Sequence, residues 1–287
     1  MEGVNNLMDG IILINKPTGL TSYDVIRNLK KQLNMSKIGH AGTLDPMASG
    51  LLVVLVGKAT KLSDYLLNQT KEYEGEITFG FLYDTLDITG NLLDLKKPNL
   101  TQNKLVEAFK YFNGLKYQQM PPKYSALKIK GKKAYQLARE NQEVVLMPRE
   151  VEIKELKLLT PLKANKINFS ALVSKGTYIR SLVNDIGNYL NEFATLSKLN
   201  RISSGDFGLK EASTLTNYKL ISLEEYFKDK KVVVANPYLV KLVKNGITLD
   251  ERQEKEAFDF IVKDENQNLI AYYVKKNQNE YKPVIIF

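Results

Sequence analysis

A glycine-rich loop that runs directly into an apolar segment is the feature that most constrains this chain. Residues 38–50 contain three glycines and a proline, which predicts an irregular loop over the whole segment. Residues 51–56 are all apolar, as in a buried strand. A loop anchored on a buried strand is a rigid mount for reactive groups. Its one carboxylate, Asp45, is therefore a candidate functional residue.

Residue types alone leave the role of Asp45 open. A lone aspartate in a glycine-rich loop commonly caps a turn. The loop lacks the lysine–serine ending of a phosphate-binding P-loop, and Pro46 and Met47 supply no second aspartate for aspartyl-phosphate chemistry. A glycosidase would need a second carboxylate that the sequence does not place. A structural role and a catalytic role for Asp45 both stand at this point.

Composition narrows the chemistry and the partners. The 287 residues include no cysteine and one histidine, His40, which excludes disulfides, thiolate sites and sites with two imidazoles. The net charge of +9 favours a polyanionic partner such as nucleic acid, although a biased composition also produces an excess of lysine. The sequence shows no membrane-spanning run and no signal peptide, so we expect a cytoplasmic location.

Hydrophobic periodicity predicts helices and strands in mixed order. Thr21 and Asp24 form a capping-box pattern before a helix that begins near residue 22. Residues 72–81 alternate in a way that predicts a half-buried strand with Tyr73 on its buried face. The same patterns predict helices at 101–112, around 134–138 and after 176, and strands at 11–14, 151–159, 167–174, 259–262, 269–274 and 283–287. We expect a large domain over residues 1–231 and a small β domain over residues 232–287.

A lysine-rich segment interrupts the predicted core. Residues 116–133 combine six lysines with two tyrosines and two prolines. By default such a run is a solvated face. Its aromatic residues and its place between predicted core strands favour an RNA-binding insertion over about residues 101–150.

The sequence Gly39-His40-Ala41-Gly42-Thr43-Leu44-Asp45-Pro46 closely resembles the catalytic loop of the TruB family of tRNA pseudouridine synthases. Further segments resemble motifs of that family in the same order, although Asn200 stands where a basic residue is usual. They are Asn15-Lys16-Pro17-Thr18-Gly19, Lys71-Glu72-Tyr73, Asp84-Thr85-Leu86-Asp87 with Gly90, residues 119–128, Gly176-Thr177-Tyr178-Ile179-Arg180 and Leu199-Asn200-Arg201-Ile202.

The resemblance implies the pseudouridine-synthase fold. This is an α+β architecture with a mixed, largely antiparallel sheet flanked by helices, an RNA-binding insertion (the family's thumb) and a small C-terminal β (PUA-like) domain. It implies that uridine 55 in the T loop of tRNA is isomerised to pseudouridine on a flipped-out base, with no cofactor and no metal. The implied partner is the T-arm of tRNA, with no membrane and no protein partner required, and we expect a monomer.

The resemblance also implies roles for individual residues. The implied catalytic residues are Asp45, Arg180 and Tyr73. Substrate-binding roles are implied for His40, Tyr73, Tyr178, Leu199, Lys16, Asp87 and Lys128. Physical reasoning supports the pairing of Asp45 with Arg180, because a pocket that excludes water disfavours a carboxylate charge and a nearby cation restores it.

Two other functions are consistent with parts of this sequence. A non-catalytic RNA-binding or RNA-folding protein could keep the same scaffold, but the presence of Asp45, Arg180 and Tyr73 together argues against it. A synthase guided by a separate RNA is the other alternative. The chain's own basic insertion argues for recognition without a guide.

Overall fold

Most of the described residues belong to two β-sheets or to the helices that connect their strands. The structure, a computed structural model, describes residues 8–125, 127–129, 131–140, 145–250, 252 and 258–287. Within these residues the helices are α1 (Ser22–Leu33), α2 (Ser63–Leu67), α3 (Gln102–Phe112), α4 (Ala134–Arg139), α5 (Ile179–Tyr189), α6 (Leu223–Tyr226) and α7 (Pro237–Lys244). The strands are β1 (Gly10–Lys16), β2 (Ile38–His40), β3 (Ser49–Val56), β4 (Lys71–Phe79), β5 (Phe81–Tyr83), β6 (Leu92–Leu95), β7 (Lys116–Gln119), β8 (Lys128–Ile129), β9 (Lys132–Lys133), β10 (Arg149–Leu158), β11 (Lys166–Val173), β12 (Ala194–Ser204), β13 (Phe207–Gly208), β14 (Leu220–Ser222), β15 (Lys231–Ala235), β16 (Leu249–Asp250), β17 (Phe260–Asp264), β18 (Leu269–Lys275) and β19 (Glu280–Ile286).

The main sheet is mixed and largely antiparallel, which confirms the expected α+β class. Its strand order is β14-β1-β3-β12-β4-β11-β10-β7, with β2 beside β3 and β13 beside β12. The pair β3 and β12 is parallel, and the other neighbours along this order are antiparallel. Helices α1, α3 and α5 bury their apolar residues in one cluster with side chains of this sheet. The parallel pair lies in the middle of the sheet, where the candidate site forms.

Strand β3 is apolar along its whole length because both of its faces are covered. Leu52 and Val54 pack in the cluster that includes α1, α3 and α5. Leu51 and Val53 point to the opposite face and pack in a cluster that includes Tyr272 of the second sheet. A strand buried on both sides has no polar-out face, so the usual alternation is absent. The prediction of a buried strand at residues 51–56 is confirmed.

Helix α1 begins where the capping box predicts. The Thr21 side chain accepts a hydrogen bond from the Asp24 amide, and the Asp24 side chain accepts one from the Thr21 amide. These two bonds satisfy orphan donors at the helix start. The helix ends at Leu33, and the φ of its C-cap residue Asn34, 50°, lies in the left-handed region. Helix α1 thereby has a fixed N-terminus, and Ser22 at that end contacts the loop of Asp45.

The prediction that residues 38–50 are irregular throughout is wrong at both ends, and at the C-terminal end Ser49 and Gly50 already belong to β3. Ile38–His40 forms β2, which pairs antiparallel with β3, with His40 opposite Val54. The physical reason is tertiary: the ladder to β3 overrides the low strand propensity of Gly39. The irregular part of the loop therefore begins after His40, and Ala41 still donates its amide to the carbonyl of Val53.

The second sheet has the order β15-β17-β18-β19-β16. Its strands β17, β18 and β19 match the predicted segments at 259–262, 269–274 and 283–287. One face has its own apolar cluster with α7, and the other packs against the main sheet. The boundary between residues 231 and 232 stays a prediction, since β15 already starts at Lys231.

Helix α3 and strand β7, which lie in the range expected for the insertion, pack with the main sheet. Leu105, Ala108 and Phe109 of α3 join the main core, and β7 pairs with β10. The part of this range that lies between β7 and β10 includes the β8–β9 hairpin and α4. In the described ranges, none of the helices has the length and apolar character that crossing a membrane requires.

Candidate active site

A cleft of about 260 Å³ opens where the loop after β2 meets β4, β12 and the start of α5. It brings together five of the residues predicted for the site: Asp45, Tyr73, Tyr178, Arg180 and Leu199. These residues are widely separated in the sequence. The fold joins them because β12 lies between β3 and β4 in the main sheet. The cleft therefore lies over the centre of the sheet.

Asp45 and Arg180 form an ion pair at this cleft. Arg180 Nε lies 2.9 Å from Asp45 Oδ2, and Arg180 Nη2 donates a hydrogen bond of 3.2 Å to Asp45 Oδ1. The arginine is 4% exposed, whereas the aspartate side chain keeps about a third of its exposure. The cation is thus fixed inside the protein, and the carboxylate faces the open space.

The guanidinium of Arg180 is held from its other side as well. Nη1 donates to the carbonyl of Thr85 at 2.9 Å and lies 3.5 Å from Asp87 Oδ2. Nη2 also donates to the carbonyl of Tyr124 at 3.0 Å. A planar fork with several fixed acceptors has little freedom to rotate. Arg180 consequently presents its Nε edge to Asp45 in one orientation.

Burial and the neighbouring charges shift the pKa of Asp45 in opposing directions. Burial raises the pKa of Asp45 above its ordinary value, since the carboxylate is surrounded mainly by protein at the floor of the cleft. Arg180 lowers this pKa, as expected, Asp87 raises it, and Lys16 lowers it. The burial effect is the largest, so the net direction is upward. A carboxyl with a raised pKa at an accessible position is suited to chemistry rather than to a surface ion pair.

The backbone on both sides of Asp45 is anchored. Ser22 Oγ, in the first turn of α1, accepts from the Leu44 amide at 2.8 Å and donates to the Leu44 carbonyl at 3.1 Å. The amide of Gly19 donates to the carbonyl of Pro46 at 2.7 Å. These contacts explain why a segment without regular structure can hold a side chain in place.

Arg201 supports the same loop from β12, and the sequence interpretation gave it no role. It is 1% exposed and donates to the carbonyls of Leu51 at 2.7 Å and Gly42 at 3.1 Å. At Gly50 the φ is +102° and an added Cβ would lie 2.4 Å from the Arg201 carbonyl oxygen, so only glycine fits. The signal that could have found Arg201 is its spacing of two from Leu199, which places both on one face of a strand.

Apolar and aromatic side chains form the walls of the cleft. Tyr73 on β4 and Leu199 on β12 are nearly buried, with 8% and 7% exposure. Tyr178 precedes α5, and the guanidinium of Arg149 lies over its ring at 5.5 Å from the centroid. Burial raises the pKa of Tyr178, so its hydroxyl stays protonated at neutral pH. These walls suit a flat, weakly polar ring.

Three other residues predicted to bind substrate, Lys16, His40 and Asp87, are not among those that line the cleft. Lys16 is fully buried, and its ammonium donates to the carbonyls of Pro17 and Leu20 at 2.9 and 2.7 Å. Burial lowers the pKa of Lys16 to about 8. His40 lies on β2, and Asp87 reaches the site only through Arg180. The side chain of Lys128 lies outside the part of the chain that the structure describes.

Lys71 is a second cleft residue that sequence reasoning missed. It lines the cleft together with Arg201, and its ammonium donates to the carbonyls of Leu67 and Gln69 at 2.8 and 2.7 Å. Burial, together with a smaller contribution from the charge of Arg201, lowers the pKa of Lys71 to about 8. Among the described residues, no group of three His, Asp or Glu side chains is placed to hold a metal ion.

Two solved structures have a fold similar to that of this chain. The Cbf5-Nop10-Gar1 complex contains a chain with a TM-score of 0.69 and 23% identity, over 98% of this chain and 85% of that one. An H/ACA RNP bound to a substrate RNA gives 0.66 and 22%, over 97% and 84%. At these identities the likeness concerns the fold alone. It confirms the expected pseudouridine-synthase fold.

The amino-acid sequence matches one protein family and its members. Residues 30–179 match the family described as TruB family pseudouridylate synthase (N terminal domain). The chain is 46% identical to tRNA pseudouridine synthase B of Onion yellows phytoplasma (strain OY-M), over 98% of this chain and all of the relative. It is 42% identical to the protein of the same name from Clostridioides difficile (strain 630), over 88% of each chain. The chain therefore belongs to the TruB family of pseudouridylate synthases.

Proposed function

We propose that this enzyme isomerises uridine 55 in the T loop of tRNA to pseudouridine, with Asp45 as the catalytic carboxylate and without a cofactor or metal ion. The observation that carries the proposal is the Asp45 carboxylate at the floor of an aromatic and apolar cleft, paired with the buried Arg180. The relatives named tRNA pseudouridine synthase B support tRNA as the substrate.

The chemistry fits this arrangement. The reaction breaks the bond between N1 of uracil and C1′ of ribose, turns the base, and joins C5 to C1′. The C5 proton leaves and N1 gains one, so nothing is oxidised and no group is lost. Asp45 can act at C1′, at C6 of the base or on a sugar proton, and each route requires the ionised carboxylate. Arg180 stabilises that ionised form against burial.

The cleft walls hold the base during the turn. The target uridine must leave its stack to reach Asp45. Tyr73 and Leu199 would contact its two faces and Tyr178 its edge. Base stacking on an aromatic ring is worth about 1–3 kcal/mol, which partly offsets the cost of unstacking. The walls also keep the detached uracil from diffusing away before it is rejoined.

We further propose that the chain acts as a monomer without a guide RNA or protein subunit. The chain carries its own basic segment, the six lysines of residues 116–133. The lysine-rich segment of residues 116–133 would contact the phosphates of the T-arm. Residues 232–287 would form the PUA-like domain.

The test is direct. The purified protein is incubated alone with an unmodified tRNA transcript, and pseudouridine is mapped chemically along the RNA. We expect one modified position, residue 55, and none in a matched transcript with cytidine at that position. Modification elsewhere only, or modification that needs added RNA or protein, would contradict the proposal.

A further inference from the structure

The first turn of α5, which carries Arg180, is held by a side chain from β7. The residue before the helix is Tyr178, whose own side chain makes no capping hydrogen bond. Its amide donates instead to Gln119 Oε1 at 2.8 Å. Gln119 is fully buried. An orphan amide at the helix start is thus satisfied from outside the helix.

Gln119 is part of a longer series of hydrogen bonds. Its Nε2 donates to the Tyr117 hydroxyl at 2.8 Å, and that hydroxyl donates to Asp185 Oδ2 at 2.7 Å. An amide NH₂ can only donate and a carboxylate can only accept. The Tyr117 hydroxyl must therefore accept from Gln119 and donate to Asp185. The direction of every bond is fixed, and the bond to the carboxylate is charge-assisted.

This series of hydrogen bonds starts at α5 and also ends at α5. Asp185 lies seven residues after Tyr178, which is about two helical turns and hence the same helix face. Tyr117 and Gln119 are two residues apart and share one face of β7. Ser181 Oγ adds a hydrogen bond of 2.7 Å to the carbonyl of Met120. Attachment at two turns fixes both the rotation and the axial position of α5.

We propose that Tyr117, Gln119 and Asp185 are positioning residues that keep Arg180 on Asp45. The proposal rests on the function proposed above. None of the three lines the cleft, so none touches the substrate directly. Their effect passes through α5 to a guanidinium whose contacts to Asp45 are 2.9 and 3.2 Å long. A displacement of about 1 Å at such a distance can slow a reaction about 10²-fold.

Gln119→Met tests the proposal, because methionine has a similar length and makes neither hydrogen bond. Gln102→Met is the matched control: Gln102 Oε1 accepts from the Leu162 amide at the same 2.8 Å but holds the start of α3. Four quantities are measured for both variants: the single-turnover rate on tRNA, the Kd for tRNA, the melting temperature, and the pH dependence of the rate.

For Gln119→Met we expect a rate about 10- to 100-fold lower, with an unchanged Kd for tRNA. We also expect the acid limb of its rate profile to move to higher pH. Asp45 faces Arg180, Asp87 and Lys16, and a loosened Arg180 leaves its charge less compensated. Gln102→Met should lose stability and keep both the rate and the acid limb.

Tyr117→Phe gives a second, milder measurement. It removes one hydroxyl and keeps the ring, which packs edge-on against Phe112. We expect a smaller loss of rate with the same direction of pH shift, and this variant decides the matter where Gln119→Met does not fold. A rate and acid limb equal to those of the control, or a defect confined to tRNA affinity, would overturn the inference. An active Asp45→Asn enzyme would instead reject the proposed function itself.

Discussion

Arg180 meets Asp45 and Asp87 with opposite edges of one guanidinium. Its Nε lies 2.9 Å from Asp45 Oδ2, and its Nη1 lies 3.5 Å from Asp87 Oδ2. Asp87 is 3% exposed, so only Asp45 is open to the cleft. One buried cation therefore faces two carboxylates, and the charge of each carboxylate affects the other. This arrangement makes the protonation of Asp45 sensitive to single substitutions.

Replacement of Arg180 should damage both stability and activity. Arg180→Met leaves Asp45 and Asp87 without their cation, and breaking a buried pair costs about 3–5 kcal/mol. We expect the lower end of that range, since water still reaches part of Asp45. Arg180→Lys keeps the charge but loses the planar fork, so it should retain part of each property. Urea unfolding and single-turnover rates measure the two effects. Normal turnover in both variants would show that Arg180 is not the partner of Asp45.

Asp87→Asn should shift the pH dependence in the opposite direction from a loss of Arg180. Asp45 acts when deprotonated, so the rate falls as the pH falls through its pKa. Asp87 raises that pKa, and removing its charge lowers it. The acid limb should therefore move to lower pH. Asparagine keeps the Oδ1 acceptor that binds the Thr89 amide at 2.9 Å, so the turn should remain. Single-turnover rates at a series of pH values check this, and an upward shift would contradict it.

The elements that could be predicted from the sequence are those with local signals. The capping box at Thr21 and Asp24 fixes α1 within its own first turn. The alternation around Tyr73 predicts β4, because one face of that strand is buried. The strand β12 gave no such signal. Its residues 194–204 are largely polar, and two irregularities in its pairing with β4 break the period of two.

The residues of the candidate site also fall into those that the sequence indicates and those that only tertiary packing brings there. The resemblance to the family indicates five residues that the structure brings to one cleft: Asp45, Tyr73, Tyr178, Arg180 and Leu199. Lys16 was expected at the substrate, but its ammonium is occupied by two carbonyls of the following turn. The hydrogen bond between Tyr178 and Gln119 joins residues 59 positions apart. Contacts of that kind depend on the packing of β7 against α5 and leave no pattern in the sequence.

The lysines of residues 116–133 should govern the salt dependence of tRNA binding. Each lost phosphate contact lowers the slope of log affinity against log salt by about 0.7–0.9. Replacement of all six by glutamine should weaken binding and flatten that slope. Lys219→Gln is the control, because this lysine lies outside the segment and its ammonium is already paired with Glu225 at 2.8 Å. An unchanged slope in the sixfold variant would show that the segment is only a solvated face.

Substitutions of Tyr73 distinguish a stacking role of its ring from a proton-transfer role of its hydroxyl. If its ring only stacks on the uracil, Tyr73→Phe should keep most activity and Tyr73→Ala should lose about 1–3 kcal/mol. We expect instead that the hydroxyl takes the C5 proton while passing its own proton on. Tyr73→Phe should then be slower by about 10²–10⁴-fold at that late step. The measurement is single-turnover release of tritium from C5 of the target uridine. Release at the wild-type rate would leave Tyr73 as a stacking surface.

Asp45→Asn tests the central claim most directly. Asparagine is nearly isosteric and removes only the charge, so the cleft and its walls should stay in place. The measurement is single-turnover formation of pseudouridine at position 55, with the melting temperature and the Kd for tRNA measured on the same preparation. The account predicts that pseudouridine formation is lost while folding and tRNA binding survive. Pseudouridine formed at near the wild-type rate would contradict it.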